Sequence, residues 1–573
     1  MAEATNGVTA SETYAIGLSF GSSYSSIAHI SPEGKVEVIA NEEGDRQIPS
    51  IISYVDGEEY HGTQAKAQLV RNSKNTIAFF KDYIGKPYNQ IDPSPCKQSA
   101  HPSQQDGQVV FSVQDSTEGE PSSLSVSEVT TRHLRRLKNS AGDFTGKKIT
   151  SAVVTVPTNF GAEQKAALTK AAKDAELDII QYIHEPVAAV LAYDSRSPDS
   201  VQDRIIVVAD FGGTRSDAAV IVCTGGGLYS IVATTHDYEL GGAHLDQVLM
   251  DHFAKEFEKK HKSDPRKNER SLAKLKLESE AVKKALSQSA SATFSVESLA
   301  DGVDFRSTVN RTRFNTIGRT IFTKFTRMIE EVVKKADMDV LDIDQVILAG
   351  GSSHVPKIAE DIQNLFPESL KVFAPATSTA SLNPSELSAR GAAIQASMIQ
   401  DFDKEDIEQS THEMITVTPH TQNAIGLQLT GQPTDTATVI VPPMTAVPAR
   451  KTKIIDAPEG DVLLLVTEGQ SEIKVTKPEP KPKTNGTKDD DDEDDIDSDE
   501  DEDEEEDLRE KVYKATKLLA EFQFKELKKG TKLEVTVNID TDLGVQISAR
   551  KAKDKHGVRG TLSPPKPTEN GST

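Results

Sequence analysis

Between Tyr14 and about Gln400, apolar runs typical of β-strands alternate with segments that repeat apolar residues at helical spacing. Strand-like runs include AIGLSF (15–20), ITSAVVTVP (149–157) and IIVVADF (205–211), whereas GAEQKAALTKAAKDAE (161–176) has a helical pattern. A chain with this alternation can bury its strands beneath its helices. The pattern predicts an α/β fold for residues 14–400.

A different pattern follows this region. Residues 401–415 are polar and predict a linker, whereas 416–555 contain short strand-like runs separated by Pro and Gly, which predict a β domain. The β domain is interrupted by 477–509, a segment too polar to form a core and therefore expected to be a disordered insertion. Residues 1–13 and 556–573 are expected to be disordered ends.

The acidity of the chain is concentrated in one segment. All residues of 489–507 are Asp or Glu except Ile496 and Ser498. Removing these 17 charges from the formal net charge of −24 leaves −7, which is ordinary for a chain of this length. Two interpretations stay open for the segment, a solvating loop or an electrostatic contact with a basic partner.

The cellular compartment of the protein is indicated by its cysteine content and by its N-terminal sequence. Cys96 and Cys223 are too few for a disulfide framework and lack metal-site spacing. The N-terminus has neither a basic start nor an apolar run, and no stretch approaches the length of a membrane span. We expect a cytoplasmic protein, with neither DNA nor a membrane among its partners.

Three glycine-rich turns follow predicted strands. The first two, within 17–25 and 210–217, join strand pairs, and the third, within 348–353, joins a strand to a helix. Glycine permits close approach, so the backbone N–H groups and hydroxyls of such turns can face phosphates. Each of the first two turns alone is more often an ordinary hairpin. Three in this order are more specific for a phosphate site.

Longer motifs carry a family resemblance. They are IANEEGDRQIPS (39–50), AVVTVP (152–157), IHEPVAAVLAY (183–193), LGGAHLD (240–246), VILAGGSSHVPKI (346–358) and LNPSELSARGAAIQA (382–396). With them, the chain resembles the heat-shock-70 (DnaK-type) chaperones from residue 14 to about 555. The resemblance implies a two-lobed, actin-like (ribonuclease-H-like) nucleotide-binding domain with ATP between the lobes. A short β-sandwich would follow it.

The resemblance also implies site residues. Phosphate contacts from one lobe would come from Gly21, Ser22, Ser23 and Tyr24, and from the other lobe from Gly212, Gly213 and Thr214. The resemblance also places Lys66, Arg215, Gly241 and Gly242 among the ATP-binding residues. Nucleoside contacts would come from Glu280, Lys283, Lys284, Ser287, Gly350, Gly351, Ser352 and His354. Without the resemblance, Lys283 and Lys284 are better interpreted as a solvated helix face.

Remnants of catalytic groups match the family at Lys66, Glu185, Asp210 and Asp217. The first turn, however, carries Ser19 in place of an acid that acts on Mg²⁺ through water. No direct metal ligand is expected, and Mg²⁺ would be weak or optional, held at most by Asp210 through water.

The second turn departs from the family as well. Thr214 replaces a glycine, and Arg215 replaces a threonine. Two alternatives stay open for Arg215, pairing with a γ-phosphate or pointing to solvent. Near the adenine, Lys284 and His354 replace two arginines. We expect ATP binding with little or no turnover.

The region beyond the nucleotide domain departs further. The stretch His412–Pro419 is more polar than the family's apolar linker, which predicts weak coupling between ATP and the β domain. No helix-sized pattern follows the β domain, so we expect no lid.

These departures favour one functional type without excluding two others. In its altered phosphate turns and in the expected absence of a lid, the chain resembles the atypical Ssz-type members of the fungal ribosome-associated complex. This likeness implies a heterodimer with a J-domain protein (zuotin-like), an indirect ribosome contact and stimulation of another chaperone acting on nascent chains. The alternatives are an ATP-hydrolysing folding chaperone and a nucleotide-exchange factor of the large heat-shock type.

Overall fold

The computed structural model describes residues 14–399, 421–476 and 508–562, apart from 118, 197–202, 225–227, 422, 431–436, 444, 446, 541–542, 553 and 555–556. The chain forms two compact units, Met1–Met414 and Ile415–Thr573. The predicted disordered N-terminus 1–13, the linker 401–415 and the acidic run 489–507 lie outside the described residues.

The first unit alternates strands and helices. Its strands are β1 Tyr14–Phe20, β2 Tyr24–Ile30, β3 Val36–Ile39, β4 Ile48–Pro49, β5 Ile51–Val55, β6 Glu58–His61, β7 Thr76–Ala78, β8 Pro102–Gln105, β9 Gln108–Val113, β10 Ser122–Ser125, β11 Ile149–Val156, β12 Asp178–His184, β13 Arg204–Phe211, β14 Ser216–Thr224, β15 Leu228–Asp237, β16 Ser291–Ala300, β17 Val303–Asn310, β18 Gln345–Ala349 and β19 Lys371–Phe373. Its helices are α1 Gly62–Ala67, α2 Val126–Thr145, α3 Ala162–Asp174, α4 Glu185–Asp194, α5 Gly242–His261, α6 Glu269–Gln288, α7 Arg311–Ile317, α8 Arg319–Lys335, α9 Pro356–Gln363 and α10 Leu387–Ile399. The predicted α/β class is confirmed.

The two main sheets of this unit repeat one topology. The first has the strand order β3-β2-β1-β11-β12, with β4 beside β2, and the second has the order β15-β14-β13-β18-β19. In each sheet three antiparallel strands are followed by two parallel ones. The turns after β1, β13 and β18 are the three glycine turns singled out in the sequence.

Buried side chains at alternate positions of β1 and β13 fix the register of these strands, and with it the position of the turns that follow them. Ile16, Leu18 and Phe20 of β1 are buried in one hydrophobic cluster, and Val207, Ala209 and Phe211 of β13 are buried in another. Side chains of a strand point alternately to opposite faces, so this spacing pins the strand register. The register places Asp210 opposite Ala349, at the end of β18.

Helix starts are set by local capping. Ser125 and Glu128 form a reciprocal capping box at the start of α2. The side chain of Asn268 accepts hydrogen bonds from the backbone N–H groups of Arg270 and Ser271 at the start of α6. These caps satisfy N–H groups that have no partner within the helix. The second cap fixes the start of the helix that carries Glu280, Lys283 and Lys284.

The second unit consists of strands in its described part. They are β20 Ala424–Leu429, β21 Thr438–Val441, β22 Ala449–Asp456, β23 Gly460–Thr476, β24 Leu508–Leu527, β25 Lys532–Ile539, β26 Val545–Lys551 and β27 Val558–Leu562. They form two four-stranded sheets, ordered β21-β20-β23-β24 and β22-β25-β26-β27. Residues of both sheets, among them Leu464, Phe522 and Val535, share one hydrophobic cluster.

Two sequence boundaries require correction. The predicted disordered end 556–573 is wrong for Val558–Leu562, because this segment pairs with Val545–Ala549 as the last strand of a sheet. The predicted insertion ended at 509, whereas β24 begins at Leu508. In both places backbone pairing extends the sheet into residues whose polar composition hid the strand. Within the described residues, no helix is long and apolar enough to cross a membrane.

Candidate functional site

The turn after β1 is held by its own backbone and by a buried serine. The N–H of Gly21 donates to the carbonyl oxygen of Tyr24 at 3.1 Å. A Cβ atom at Gly21 would lie 2.3 Å from that same oxygen, so only glycine fits. The hydroxyl of Ser50 donates to the carbonyl oxygen of Gly21 at 2.7 Å, and Ser22 donates to Asp82 at 2.6 Å.

Lys66, Tyr24, Glu280 and Lys284 form one cluster. Lys66 Nζ lies 2.8 and 2.7 Å from the two carboxylate oxygens of Glu280, and Lys284 Nζ lies 2.8 Å from Glu280 Oε1. The Tyr24 hydroxyl donates to Glu280 at 2.5 Å and accepts from both lysines. Burial would favour the neutral acid, but attraction from both lysines holds the pKa of Glu280 well below its usual range.

This arrangement joins groups that the family resemblance assigned to separate tasks. Lys66 matches a catalytic lysine at the phosphates, and Glu280 matches a nucleoside contact. In the structure they are an ion pair at 2.7 Å, with 20% of the Lys66 side chain and 17% of the Glu280 side chain exposed. Lys66 is therefore restrained by an acid and does not stand free for a phosphate.

The turn after β13 is joined to the start of α5. The carbonyl oxygen of Gly212 accepts from the N–H of Gly242 at 3.0 Å and from the hydroxyl of Ser352 at 2.8 Å. A Cβ at Gly213 would lie 2.4 Å from Ser23 Oγ, so this turn also meets the first one. The structure thus brings all three glycine turns together.

Lys283 connects this junction to α6, because it contacts Gly242 at the start of α5. Lys283 Nζ donates to the carbonyl oxygen of Gly242 at 2.8 Å and pairs with Asp246 at 2.8 Å. Ser287, predicted as a nucleoside contact, donates within its own helix to the carbonyl oxygen of Lys283 at 3.1 Å. Lys283 is buried, so its interpretation as a solvated helix face is wrong.

The turn after β18 requires glycine as well. Gly350 has φ +81°, and a Cβ there would lie 2.4 Å from Asp210 Oδ1. The adjacent Gly351 begins a short 3₁₀ helix that ends at His354. His354 Nε2 lies 3.1 Å from Asn383 Oδ1 and 3.2 Å from Ser385 Oγ. These bonds tie the turn to the segment that leads into α10.

Glu185 and Asp217, two of the acids that match catalytic groups of the family, lie beside cationic side chains of this chain. Lys81 Nζ lies 3.4 Å from Glu185. Arg215 Nε donates to Asp217 Oδ2 at 2.7 Å, Arg215 Nη2 donates to Asp217 Oδ1, and His236 Nδ1 lies 2.5 Å from that oxygen. Although burial opposes it, these partners hold the pKa of Asp217 below its usual range. The solvent-pointing alternative for Arg215 is wrong, because its side chain is only 16% exposed.

An open cavity of about 620 Å³ lies beside the lysine cluster, and Tyr24, Lys66, Lys284, Asn383 and Glu386 contribute to its lining. Nucleotide pockets fall in this size range. Its lining includes the cations Lys66, Lys284 and Arg46 and the hydroxyls of Tyr24 and Thr63, together with the acids Asp45 and Glu386. Such cations and hydroxyls can donate to the phosphate and ribose oxygens of a nucleotide.

Several participants carry no signal in the sequence alone. Asn159, His236 and Tyr238 enclose Arg215 or Asp217, yet none belongs to a glycine turn. Asp246 lies in the quoted LGGAHLD motif, so that motif could have identified it as the partner of Lys283. Lys81 could not be found, because its partner Glu185 is distant in sequence.

Comparisons with known proteins agree with this architecture. The Hsp70 protein family model matches residues 15–480. The chain is 43% identical to the ribosome-associated complex subunit SSZ1 of Saccharomyces cerevisiae, with 96% of this chain and 99% of that protein covered. It is 41% identical to a heat shock protein 70 homolog of Schizosaccharomyces pombe (96% and 95% covered) and 31% identical to heat shock cognate 70 kDa protein 3 of Dictyostelium discoideum (79% and 70%).

The fold and the converging glycine turns define a mixed α/β protein with a site suited to phosphates, joined to an all-β unit in its described part. With these matches, the chain belongs to the Hsp70 family.

Proposed function

We propose that this chain is an ATP-binding, hydrolysis-poor subunit of a ribosome-associated complex in the cytoplasm, paired stably with a J-domain protein. The first unit is then a two-lobed, actin-like nucleotide-binding domain, and the repeated sheet topology supports this. The second unit is a β-sandwich with no helix among its described residues, and the single cluster shared by its two sheets supports the sandwich.

One observation carries the low-turnover part of the proposal, the engagement of Asp217 by Arg215 and His236. Ser19 already replaces one acid on the metal side of the phosphates. Asp217, paired with Arg215 and His236, is then a second acid that does not act on the metal. Hydrolysis requires a positioned water and stabilised charge on the transferred phosphoryl group, whereas binding requires only the cradle of donors.

The test combines calorimetric titration of the full-length chain with ATP and a single-turnover hydrolysis assay. We expect saturable binding of one ATP per chain and no hydrolysis above the rate in buffer. An active Hsp70 relative measured in the same assay is the positive control. A hydrolysis rate equal to that of the control would overturn the regulatory function and favour a folding chaperone.

The partner is proposed from the relative and from the second unit. The relative in Saccharomyces cerevisiae is named as a subunit of a ribosome-associated complex. Among the described strands of the second unit β24 lies at a sheet edge, and Leu518 on it is 50% exposed. Unpaired edges accept an extended segment of another chain. A J-domain protein with such a segment would cover this edge permanently, and the pair would then act on a separate chaperone at nascent chains.

The active folding chaperone is less well supported. It requires Lys66 at the phosphates, but Lys66 is paired with Glu280. A nucleotide-exchange factor of the large heat-shock type would use a long helical extension, and within the described residues the helices belong to the first unit.

A further inference from the structure

Lys283 is a buried cation of α6 that contacts the start of the neighbouring helix, α5. Its Nζ donates to the carbonyl oxygen of Gly242, the first residue of α5, at 2.8 Å, and lies 2.8 Å from Asp246 Oδ1 one turn further along. Only 11% of the Lys283 side chain and 9% of the Asp246 side chain are exposed. This ion pair therefore joins α6 to the first turn of α5.

The start of α5 in turn holds the turn after β13. The N–H of Gly242 donates to the carbonyl oxygen of Gly212 at 3.0 Å. The next N–H along the helix, that of Ala243, donates to the next carbonyl oxygen along the turn, that of Gly213, at 2.8 Å. Two successive carbonyl groups of the turn therefore point to α5.

The direction of these carbonyl groups fixes the direction of two N–H groups. In a planar trans peptide the C=O and N–H bonds point to opposite sides. The N–H groups of Gly213 and Thr214 belong to the same two peptides, so they point away from α5. Successive N–H groups that point the same way form a concavity suited to anions. The turn keeps this form because α5 holds its carbonyl groups.

Close packing leaves this connection little freedom. A Cβ atom at Gly242 would lie 2.9 Å from Lys283 Nζ and 2.7 Å from Ser352 Oγ, and one at Gly241 would lie 2.7 Å from the carbonyl oxygen of Gly213. Lys283 therefore cannot move far without moving the start of α5. Asp246 keeps it in place, because a buried ammonium group requires an opposite charge.

We propose that Asp246 and Lys283 are positioning residues for the phosphates. Their ion pair fixes the start of α5, and the start of α5 orients the turn after β13 for the β- and γ-phosphates of ATP. The inference rests on the proposed ATP binding. It gives Lys283 a role at the phosphates, in place of the nucleoside contact that the resemblance implied.

The test compares ATP with AMP, which has the same nucleoside but lacks the β- and γ-phosphates. Dissociation constants of the full-length protein are measured by displacement of a fluorescent ATP analogue. For Lys283→Met we expect the affinity for ATP to fall at least about tenfold and that for AMP to change less than about twofold. Equal losses for both nucleotides would overturn the inference, because a lost nucleoside contact or a damaged fold weakens both. Unchanged binding of ATP would overturn it as well.

A double-variant cycle tests whether the two residues act as one unit. Asp246→Asn should also weaken ATP more than AMP, since it removes the charge that holds Lys283. Combined with Lys283→Met, it should cost little further ATP affinity, because the ion pair is already lost. Losses of ATP affinity that simply add would overturn action through the pair.

The matched control is Asp194→Asn. Asp194 pairs with Arg204 in the same unit, and their side chains are similarly buried, at 8% and 16% exposed. This variant should lose stability but bind ATP and AMP as the unsubstituted protein does. Circular dichroism melting checks the fold of each variant, and the nearly isosteric Asp246→Asn carries the comparison of ATP with AMP if Lys283→Met does not fold.

The outcomes also separate this inference from the proposed function. Failure of the unsubstituted protein to bind ATP would overturn both. Binding of ATP by the unsubstituted protein, with equal losses of ATP and AMP in the variants, would overturn the positioning role alone.

Discussion

Asp210 is a partly buried acid whose ionisation opposes folding. Its pKa is raised from 3.8 to about 7, first by burial and then by Glu185 and Asp217. Between these values the unfolded chain has lost the proton and the folded chain has kept it. The contribution of Asp210 to stability therefore decreases as pH rises from about 4 to 7 and then stays constant.

We predict that Asp210→Asn removes this penalty in the nucleotide-free protein. Relative to the unsubstituted protein, the variant should gain stability as pH rises, by up to about 4 kcal/mol at pH 8. Denaturant unfolding at pH 5 and pH 8 measures the difference. A stability difference that does not change with pH would contradict the prediction.

His133 is a buried side chain that reaches the glycine turn after β1 through two serines. Its Nε2 lies 3.0 Å from Ser25 Oγ, which lies 2.9 Å from Ser50 Oγ, and Ser50 donates to the carbonyl oxygen of Gly21. Burial lowers the pKa of His133 to about 3, so the imidazole is neutral at physiological pH. The chain of hydrogen bonds positions the turn without a charge.

Replacing this imidazole with an apolar side chain should weaken both the fold and the turn. We predict that His133→Leu costs about 1–3 kcal/mol in unfolding free energy, because the Ser25 hydroxyl loses a buried partner. ATP affinity should fall severalfold. Denaturant unfolding and calorimetry measure the two effects, with the exposed His101→Leu as control. An unchanged ATP affinity would show that the turn does not depend on His133.

Sequence identified the residues of the site better than it identified their partners. Gly21, Gly212 and Gly350 were found because glycine has a steric meaning that the sequence displays. The conformation of Arg215 stayed open, since Asn159 and Tyr238, which hold it, are remote in sequence. Ion pairs such as that of Lys66 with Glu280 join residues that are far apart in the sequence, so they are set by tertiary packing and not by a local pattern.

At the scale of elements, α10 packs against both β1 and α4 at glycines. A Cβ at Gly391 would lie 1.9 Å from the carbonyl oxygen of Ala188 in α4, and one at Gly17 in β1 would lie 2.1 Å from the N of Ala393 in α10. Backbone atoms cannot yield as a flexible side chain does. The approach of these elements therefore requires the absence of a side chain.

We predict that Gly391→Ala destabilises the first unit by about 1–3 kcal/mol, because the added methyl group forces the backbones of α10 and α4 apart. Thermal and denaturant unfolding measure the loss. Gly142→Ala in α2 is the control, since its Cβ would approach only the carbonyl oxygen of Lys147, at 3.3 Å, and alanine favours a helix. Equal stability of the two variants would refute the close-packing argument.

Strands of the first unit were predictable because their faces are buried. β13 was predicted at 205–211 and observed at Arg204–Phe211, and β11 was predicted at 149–157 and observed at Ile149–Val156. The strand β27 was not predicted, because its sequence, VRGTL, lacks a clear apolar alternation. Its pairing with β26 depends on the sheet already being formed.

For the whole molecule, the two units divide the proposed tasks. We predict that deleting residues 416–573 abolishes association with the proposed J-domain partner, whereas residues 1–415 still bind ATP. Each unit has its own hydrophobic clusters, so the first should fold without the second. Co-purification and calorimetry give the two measurements.

The control for this truncation is a shorter deletion of 564–573, which leaves every described strand intact. It should retain the partner. Full retention of the partner by residues 1–415 would place the main interface on the first unit instead.

The hairpin of β23 and β24 has a consequence for chain length. Thr476 pairs with Leu508, so residues 477–507 begin and end at neighbouring positions. Because loop-closure entropy grows only logarithmically, halving or doubling this segment changes the closure free energy by roughly 0.6 kcal/mol. This position can therefore gain or lose sequence freely, which also makes it a suitable place to insert a reporter domain.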